Sequence, residues 1–529
     1  NTSDELLEAG LDGVFERESG SNSGDQVLDT SKPVRLHYDL IELTGSSKKD
    51  FLDTMDWKTL KKHLKACTKE SNKNLARRVE KGIQQVEGPN LLCLRVSDYN
   101  AKGLSGDEED EDSNFHLFSK ATLESGSNAE RQGSFGLGKG VFWSFSEIST
   151  VLISSTVPKK GSANLSTRIF GRSELRSHKC KTQNWNKSNK WDTTGFFGKE
   201  KIQNYDHRAV SCWENSPNLS KDLMLERDLE QGTSVLTIAY NDPKKEEDES
   251  PAEILQKIEG HIKQWLWPGI SKRNITPLLE VRVRHFVNNV IKSDNLVDTA
   301  GWEPFEESAY SPQNSNKLNA SRDIAERVIK IDIPEKTEDP DKHASFEGEA
   351  KLRIIRSDNS YDEHPKRNHI AHLRRNLCVV QYEDISKLNN TEDPVFGNLL
   401  IGRSLLTGSK DNNVKVHNFL RTAEPPLHNR WTYYKKLKYD YKRGYKTAIT
   451  NFLRQVSLKS REMLIEKVDV SDSDFSHLSK DFKFGTAGEN ENPKARSLQI
   501  VNANLSNNIW FIEAKLNNDM ELMAHRHSI

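Results

Sequence analysis

Apolar and polar positions follow two periods along this chain, and the switches between them mark the elements. Leu6, Leu7, Leu11, Val14 and Phe15 recur at helical spacing and predict a helix over 1–18. Gly, Ser and Asn dominate 19–25, which predicts a loop. From Val34 to Ile41 the pattern alternates like a strand. Residues 50–86 are charged and helical in pattern. Leu91 to Val96 is almost wholly apolar, as expected of a strand buried on both faces. Val141–Phe145 reads as a helix end, and Val151–Ser155 and Val235–Ala239 as strands. The polar, Trp-studded stretch 171–231 predicts an elaborated loop or hairpin. A Lys/Glu/Asp-rich stretch at 244–250 precedes a helix at about 251–268. A domain boundary is expected near 270, with Leu278–Phe286 opening something new. Further strands are expected at 346–356, 376–382 and 395–406, a long helix at 430–468, and a strand at Asn508–Glu513. There is no internal repeat.

Length and composition narrow the picture only in part. The chain has 529 residues, enough for two to four domains at roughly 100–200 residues each. Lys and Arg total 77 against 78 for Asp and Glu, which excludes a globally polybasic chain but not a local patch. No run of about 18 apolar residues occurs, so no transmembrane helix and no membrane partner are expected. Cys67, Cys93, Cys180, Cys212 and Cys378 are scattered without a CxxC pair, which predicts a reduced, cytoplasmic protein. The chain begins at Asn1 on helix-like sequence, and a further N-terminal segment is expected.

Three segments carry candidate chemistry. The first runs from Val96 through Asp98, Asn100 and Gly103 to Leu104. A buried strand ends on an aspartate, which must be paired to repay its burial. An exocyclic amine of adenine can supply that partner, and Gly103 lets the backbone come close. The second is Gly133, Ser134, Phe135, Gly136, Leu137, Gly138, Lys139 and Gly140, ahead of an apolar helix. Backbone N–H groups in such a loop can cradle phosphates. It is neither a Walker loop nor a Rossmann turn, because its spacing is G-x-x-G-x-G and no Lys-Ser/Thr closes it. The third is Gly232 and Thr233 at the start of a strand, where the threonine can hydrogen-bond the aspartate or its base. Alone, each is equally well a tight turn or a strand start.

Their order resembles the GHKL superfamily with its Bergerat fold, the group of gyrase B, the ninety-kilodalton chaperones, histidine kinases, MutL and the MORC ATPases. Asp98–Leu104 resembles the D-x-G-x-G box, with Asn100 in place of the first glycine. Gly133–Gly140 resembles the G-x-x-G-x-G box, and Gly232 with Thr233 the closing box. The resemblance implies an α+β chain. A Bergerat-type α/β sandwich would span 1–270, with an insertion at about 45–88 and a lid at about 104–132. A transducer-like α/β domain would span 271–470, and a small β-containing segment 471–529. It implies an ATPase that binds ATP and Mg²⁺ and acts as a conformational switch, with an ATP-dependent homodimer. A MORC- or MutL-like role on DNA, in bacterial anti-phage defence, is the leading expectation. A chaperone-like ATPase with protein clients and a non-hydrolysing nucleotide sensor are the alternatives.

The family also places an Mg²⁺-binding asparagine on its first helix, with a general-base glutamate four residues earlier. Asn1 to Glu5 resembles that box, which makes Asn1 the metal ligand and Asp4 a nucleotide neighbour. The glutamate is then expected upstream of residue 1. Glu70 and Asn74 share the E-x-x-x-N spacing but sit among Lys69, Lys73, Arg77 and Arg78. The acidic run Asp107–Asp112 in the lid is expected to point away from phosphates. A transducer-type domain supplies a lysine to the terminal phosphate, for which Lys435, Lys436 and Lys438 are candidates. Cations from Arg430 to Lys446 interleave with five tyrosines, which suits either a nucleic-acid backbone or a solvated amphipathic helix. His178, Cys180, His207 and Cys212 lack a standard zinc spacing.

Overall fold

The computed structural model describes residues 12–69, 71, 73–121, 138–159, 162, 164–183, 186–203, 206–213, 217–244, 249–273, 277–338, 344–374, 378–389, 392–402, 410–425, 429–464, 498–506 and 509–516. The order of elements in the first half is α1 (Val14–Asp25), β1 (Val34–Leu43), α2 (Gly45–Thr54), α3 (Trp57–Lys69), α4 (Lys73–Glu87), β2 (Leu91–Tyr99), α5 (Val141–Ser144), β3 (Thr150–Pro158) and β4 (Leu165–Glu174). Short strands follow: β5 (His178–Lys179), β6 (Lys190–Trp191), β7 (Thr194–Phe197), β8 (Lys199–Gln203), β9 (Asp206–Val210) and β10 (Cys212–Trp213). Then come α6 (Pro217–Asp222), β11 (Gly232–Ile238), α7 (Pro251–Ile270), β12 (Leu279–Val287) and β13 (Val290–Leu296).

Nine of these strands form one sheet in the order β10-β4-β3-β11-β2-β1-β12-β13, with β7 also on β4, while β5–β6 and β8–β9 are separate two-stranded pairs. Period-two alternation buries both of its faces. Leu36, Tyr38 and Leu40 of β1, Leu94 and Val96 of β2 and Val235 of β11 meet α1, α5 and α7. Ile41 and Leu43, Leu91 and Cys93, and Leu236 and Ile238 meet α2, α3 and α4 on the other side. The sandwich is therefore α/β with a mostly antiparallel sheet, β1 and β12 being parallel.

Two expectations change here. Residues 19–25 are helical, as the second half of α1. Their poor intrinsic helix propensity is overridden by burial, and the small side chains have a packing reason. A Cβ on Gly20 would lie 2.3 Å from Leu266 Cδ1 of α7, so the two helices meet because that position is glycine. Second, β12 does not start a new unit. It pairs with β1 from Val34↔Leu279 to Glu42↔Val287, and the first sheet runs on to Leu296.

The second sheet, ordered β14-β15-β18-β16-β17, is built from β14 (Ile324–Ile333), β15 (Phe346–Arg356), β16 (His369–Leu373), β17 (Val379–Asp384) and β18 (Val395–Leu400), after α8 (Glu303–Tyr310). One face packs on α7 and α8, where Trp267 Nε1 donates to Tyr382 Oη at 3.2 Å and Phe305 meets Phe396 edge-on. The other face packs on α9 (Lys410–Thr422), α10 (Lys435–Asp440) and α11 (Tyr445–Leu464). The single helix expected over 430–468 is broken, because Tyr441 is extended and Gly444 takes a left-handed φ of 115°. A hairpin of β19 (Leu498–Ser506) and β20 (Ile509–Leu516) closes the described chain. Among the described residues no helix is long and apolar enough to cross a membrane.

Burial holds three imidazoles neutral. His37 and His63 are each pushed down to about 4 by desolvation, aided by Arg284 and His178 respectively. Desolvation pushes His364, edge-on to Trp302, down to about 4 as well. The unfolded chain takes up protons near pH 6.5 that the native state refuses. Stability contributed by these groups is therefore present above pH 6.5 and lost as pH falls from 6.5 to about 4. A urea midpoint that stays flat across that window would contradict their burial, and His364→Phe is expected to make the slope shallower.

Candidate functional site

On the α1 face of the first sheet lies a cleft of about 530 Å³. Asp98 sits on its floor at the end of β2. Its Oδ1 accepts from the Thr233 backbone N–H at 2.6 Å, and its Oδ2 accepts from Ser23 Oγ of α1 at 3.0 Å. Each oxygen keeps a further acceptor site. Burial raises the Asp98 pKa above the ordinary carboxylate value, against the pull of Arg227 and these hydrogen bonds. Arg227 also donates to the Asp98 carbonyl at 2.7 Å and to Ser234 Oγ at 2.7 Å. Gly232 has φ of 152°, and a Cβ there would lie 2.2 Å from the Asp98 carbonyl oxygen, so only glycine lets β11 approach.

The neighbouring turn is shaped in the same way. Gly103 has φ of 68°, and a Cβ there would press Val157 Cγ1 at 2.9 Å. Leu104 N–H donates to Ser155 Oγ at 2.8 Å, and Ser155 Oγ lies 3.1 Å from Thr233 Oγ1. Val96, Val235, Leu104 and Phe142 give the cleft apolar walls beside Asp98. Asn100 turns elsewhere. Its left-handed φ of 59° sends the side chain outward, where Nδ2 donates to the Asp29 carbonyl at 2.9 Å and Oδ1 accepts from Asp29 N–H at 3.0 Å. It fastens the 29–33 turn and does not line the cleft.

The glycine loop is described only from Gly138 onward, so Gly133, Ser134, Phe135, Gly136 and Leu137 lie outside the described residues, as do Asn1, Asp4 and Glu70. Asn74 is exposed on α4, on the opposite face of the sheet. Lys139 lines the cleft. Its ammonium is buried and donates to the carbonyls of Leu117 and of Ala121, the latter at 3.2 Å. Desolvation, with Arg172 nearby, pushes it down to about 7. Through these two bonds it ties the 117–121 segment to the edge of the cleft. None of Asp107–Asp112 lines the cleft. Glu108, expected to be solvated, pairs with Lys120 at 3.1 Å and Arg168 at 3.4 Å.

The pair missed in the sequence is Glu18 and Asn22. They stand one turn apart on α1, and both face the cleft. A Cβ on Gly138 would lie 2.9 Å from Glu18 Oε2 and 3.6 Å from Asn22 Nδ2, so the glycine loop ends against them. Glu18 is buried, with Oε1 accepting from Arg17 at 2.9 Å, whereas the Asn22 amide is exposed in the cleft. Glu18 to Asn22 has the same E-x-x-x-N spacing that singled out Glu70 and Asn74, but its Ser-Gly-Ser interior reads as loop.

The second sheet's unit supplies the remaining wall. Arg374, after β16, donates Nη1 to Ser21 Oγ at 3.0 Å and is held by Glu424 through Nε at 3.1 Å. Arg421 of α9 pairs with Asp25 at 3.7 Å. Lys435, Lys436 and Lys438 do not line the cleft. Among the described residues no group of three or more His, Cys, Asp or Glu is disposed to hold a metal ion. His178 instead joins His63 at 2.8 Å and Cys67 at 3.2 Å, pinning β5 to α3.

No protein-family model matches the chain, and no curated protein matches it. A solved structure, the 43K ATPase domain of Thermus thermophilus gyrase B in complex with an aminocoumarin, aligns over 85% of this chain and 91% of that one. The identity is 10% and the TM-score 0.26, a superposition too loose to carry an argument.

Asp98→Asn keeps the size of the side chain but removes its charge and one acceptor. If the cleft takes an adenine nucleotide on Asp98, affinity for it is expected to fall by about 1.5–3 kcal/mol, roughly ten- to hundredfold. Calorimetry on the folded variant checks this, and unchanged affinity would remove Asp98 from the site.

Proposed function

We propose that the chain is a GHKL-type ATPase whose hydrolytic pair is Glu18 and Asn22. The observation that carries this reading is their convergence with Asp98 and Gly138 in one cleft. Asp98 accepts from the exocyclic amine of adenine, between the apolar walls of Val96, Val235 and Leu104. Thr233 and Ser23 hold its carboxylate in place. Gly103 and Gly138 leave backbone open beside the ribose and phosphates. Asn22, whose amide is exposed in the cleft, would be the residue that holds Mg²⁺, the role expected of Asn1. A single protein ligand would suit this ion beside a phosphate chain. When bound, Mg²⁺ neutralises charge on the phosphates. Glu18 takes a proton from the attacking water, the role expected of a glutamate upstream of residue 1. Arg374 and Arg421 are the second unit's cations at this cleft, and through them the nucleotide state reaches the second sheet.

On this reading the chain is an ATP-driven conformational switch, homodimeric when ATP is bound, and its client is DNA in the manner of MORC and MutL. DNA is favoured over a protein client by the exposed cations of α10 and the turn that follows it.

Glu18→Gln is the test. Phosphate release should fall by about 10²–10⁴-fold while ATP binding is retained. Unaltered turnover in the folded variant would exclude Glu18 as the base. Asn22→Ala should weaken nucleotide binding in Mg²⁺ but not in EDTA.

A further inference from the structure

The sequence from Arg430 to Lys446 contains seven cationic side chains and one acid, Asp440, in a chain whose net charge is −1. The structure sorts this segment into an anchored inner side and a charged outer side. Trp431, Leu437 and Tyr441 are 2%, 0% and 4% exposed and pack into the second core. Lys435, Lys438, Lys442, Arg443 and Lys446 all face solvent. Lys442 is paired with Glu335 at 2.9 Å. The left-handed Gly444 then turns the chain so that α11 begins beside these cations, with no acidic residue in its first turn. The positive end of a twenty-residue helix is thus added to the same surface. Tyr439 stands 54% exposed among the lysines. Tyr433 is stacked on Tyr445 at 5.9 Å, and Lys446 lies over its ring at 4.4 Å.

The anchored side leads to the cleft. Trp431 Nε1 donates to Glu424 Oε1 at 3.2 Å, and Glu424 is the residue that holds Arg374 against Ser21 of α1. Tyr441 meets Phe419 of α9 edge-on at 4.9 Å, and His417 and Arg421 on the same helix line the cleft.

The geometry points to this surface as the seat of a nucleic-acid phosphate backbone, coupled to the nucleotide cleft through Trp431, Glu424 and Arg374. The inference rests on the reading of the cleft only for the coupling. The binding stands by itself. A run of exposed cations on a segment anchored by Trp431, Leu437 and Tyr441 matches a repeating anion better than the scattered carboxylates of an acidic protein. A lipid surface would also call for exposed aliphatic side chains, and the outward residues here are polar or tyrosine.

The nucleotide-free full chain is titrated into a short fluorescein-labelled DNA duplex and the matching single strand, followed by anisotropy over a salt series. Lys435→Glu/Lys438→Glu/Arg443→Glu, all exposed positions, should bind at least about tenfold more weakly at low salt, with a salt slope lower by about three. Its thermal melt and its ATP affinity should match wild type. Equal DNA affinity in the triple variant overturns the proposal. So does wild-type protein that binds phosphatidylserine vesicles or polyglutamate but no oligonucleotide. Trp431→Phe keeps a six-membered aromatic ring in the core but loses the pyrrole ring with its N–H. It should bind DNA and ATP separately as wild type does, while DNA no longer changes ATP affinity; an intact DNA effect on ATP affinity overturns the coupling. Asp98→Asn decides the cleft independently, so either result can fail alone.

Discussion

The cleft depends on the two hydrogen bonds that the Asp98 carboxylate accepts. One comes from the backbone of β11 and one from Ser23 of α1, and Asp98 itself ends β2. Three elements distant in sequence are fixed to one pair of oxygens. A carboxylate so far out of water is costly, as its raised pKa records, and the bonds offset that cost. They also aim its remaining acceptor sites into the cleft. The tie is possible only because position 232 is glycine, since any Cβ would collide with the Asp98 carbonyl.

A second constraint is close approach. α1 is packed between the sheet, α7 and the end of the glycine loop, and its polar small residues make room for that. Gly20 admits Leu266, and Gly13, with φ of 70°, admits Trp265. Ser19 is buried with its hydroxyl 2.8 Å from Tyr38 Oη. The same burial brings Glu18 and Asn22 against Gly138. Packing and the proposed chemistry thus draw on one helix, whose exposed amide and buried carboxylate stand one turn apart.

α7 joins the two sheets. It covers the first through Ile258, Ile262 and Leu266, and meets the second through Trp267 and Tyr382. This contact is direct and aromatic, and the second unit also meets α1 through Arg374 and through Arg421, which pairs with Asp25. Arg374 is buried, charged and shared between Glu424 and Ser21, so it responds to changes on either side.

β1 was legible in the sequence by its alternation, and β2, β3 and β11 by apolar runs, because a strand buried on both faces takes apolar residues at most positions. The strand-end aspartate, its following Gly103 and the Gly232–Thr233 pair were legible for a related reason, since local backbone geometry demands those residue types. The helix at 19–25 was not, because its composition reflects neighbours that arrive from residues 138 and 266. Neither was the extent of the first sheet, since the parallel pairing of β1 with β12 spans more than two hundred residues and leaves no local mark. The sequence by itself determined β1, β2, β3, β11, β12 and β15 and the Asp98–Leu104 and Gly232–Thr233 segments of the cleft, which depend on local periodicity and φ. Only the tertiary structure decided that Glu18 and Asn22 share the cleft with Asp98, that Asn100 is fastened elsewhere, that the Lys139 ammonium is tied to the 117–121 segment, and that Arg374 reaches the cleft. Each of these is a contact between side chains far apart in sequence, and spacing along the chain does not encode which distant backbone will be close.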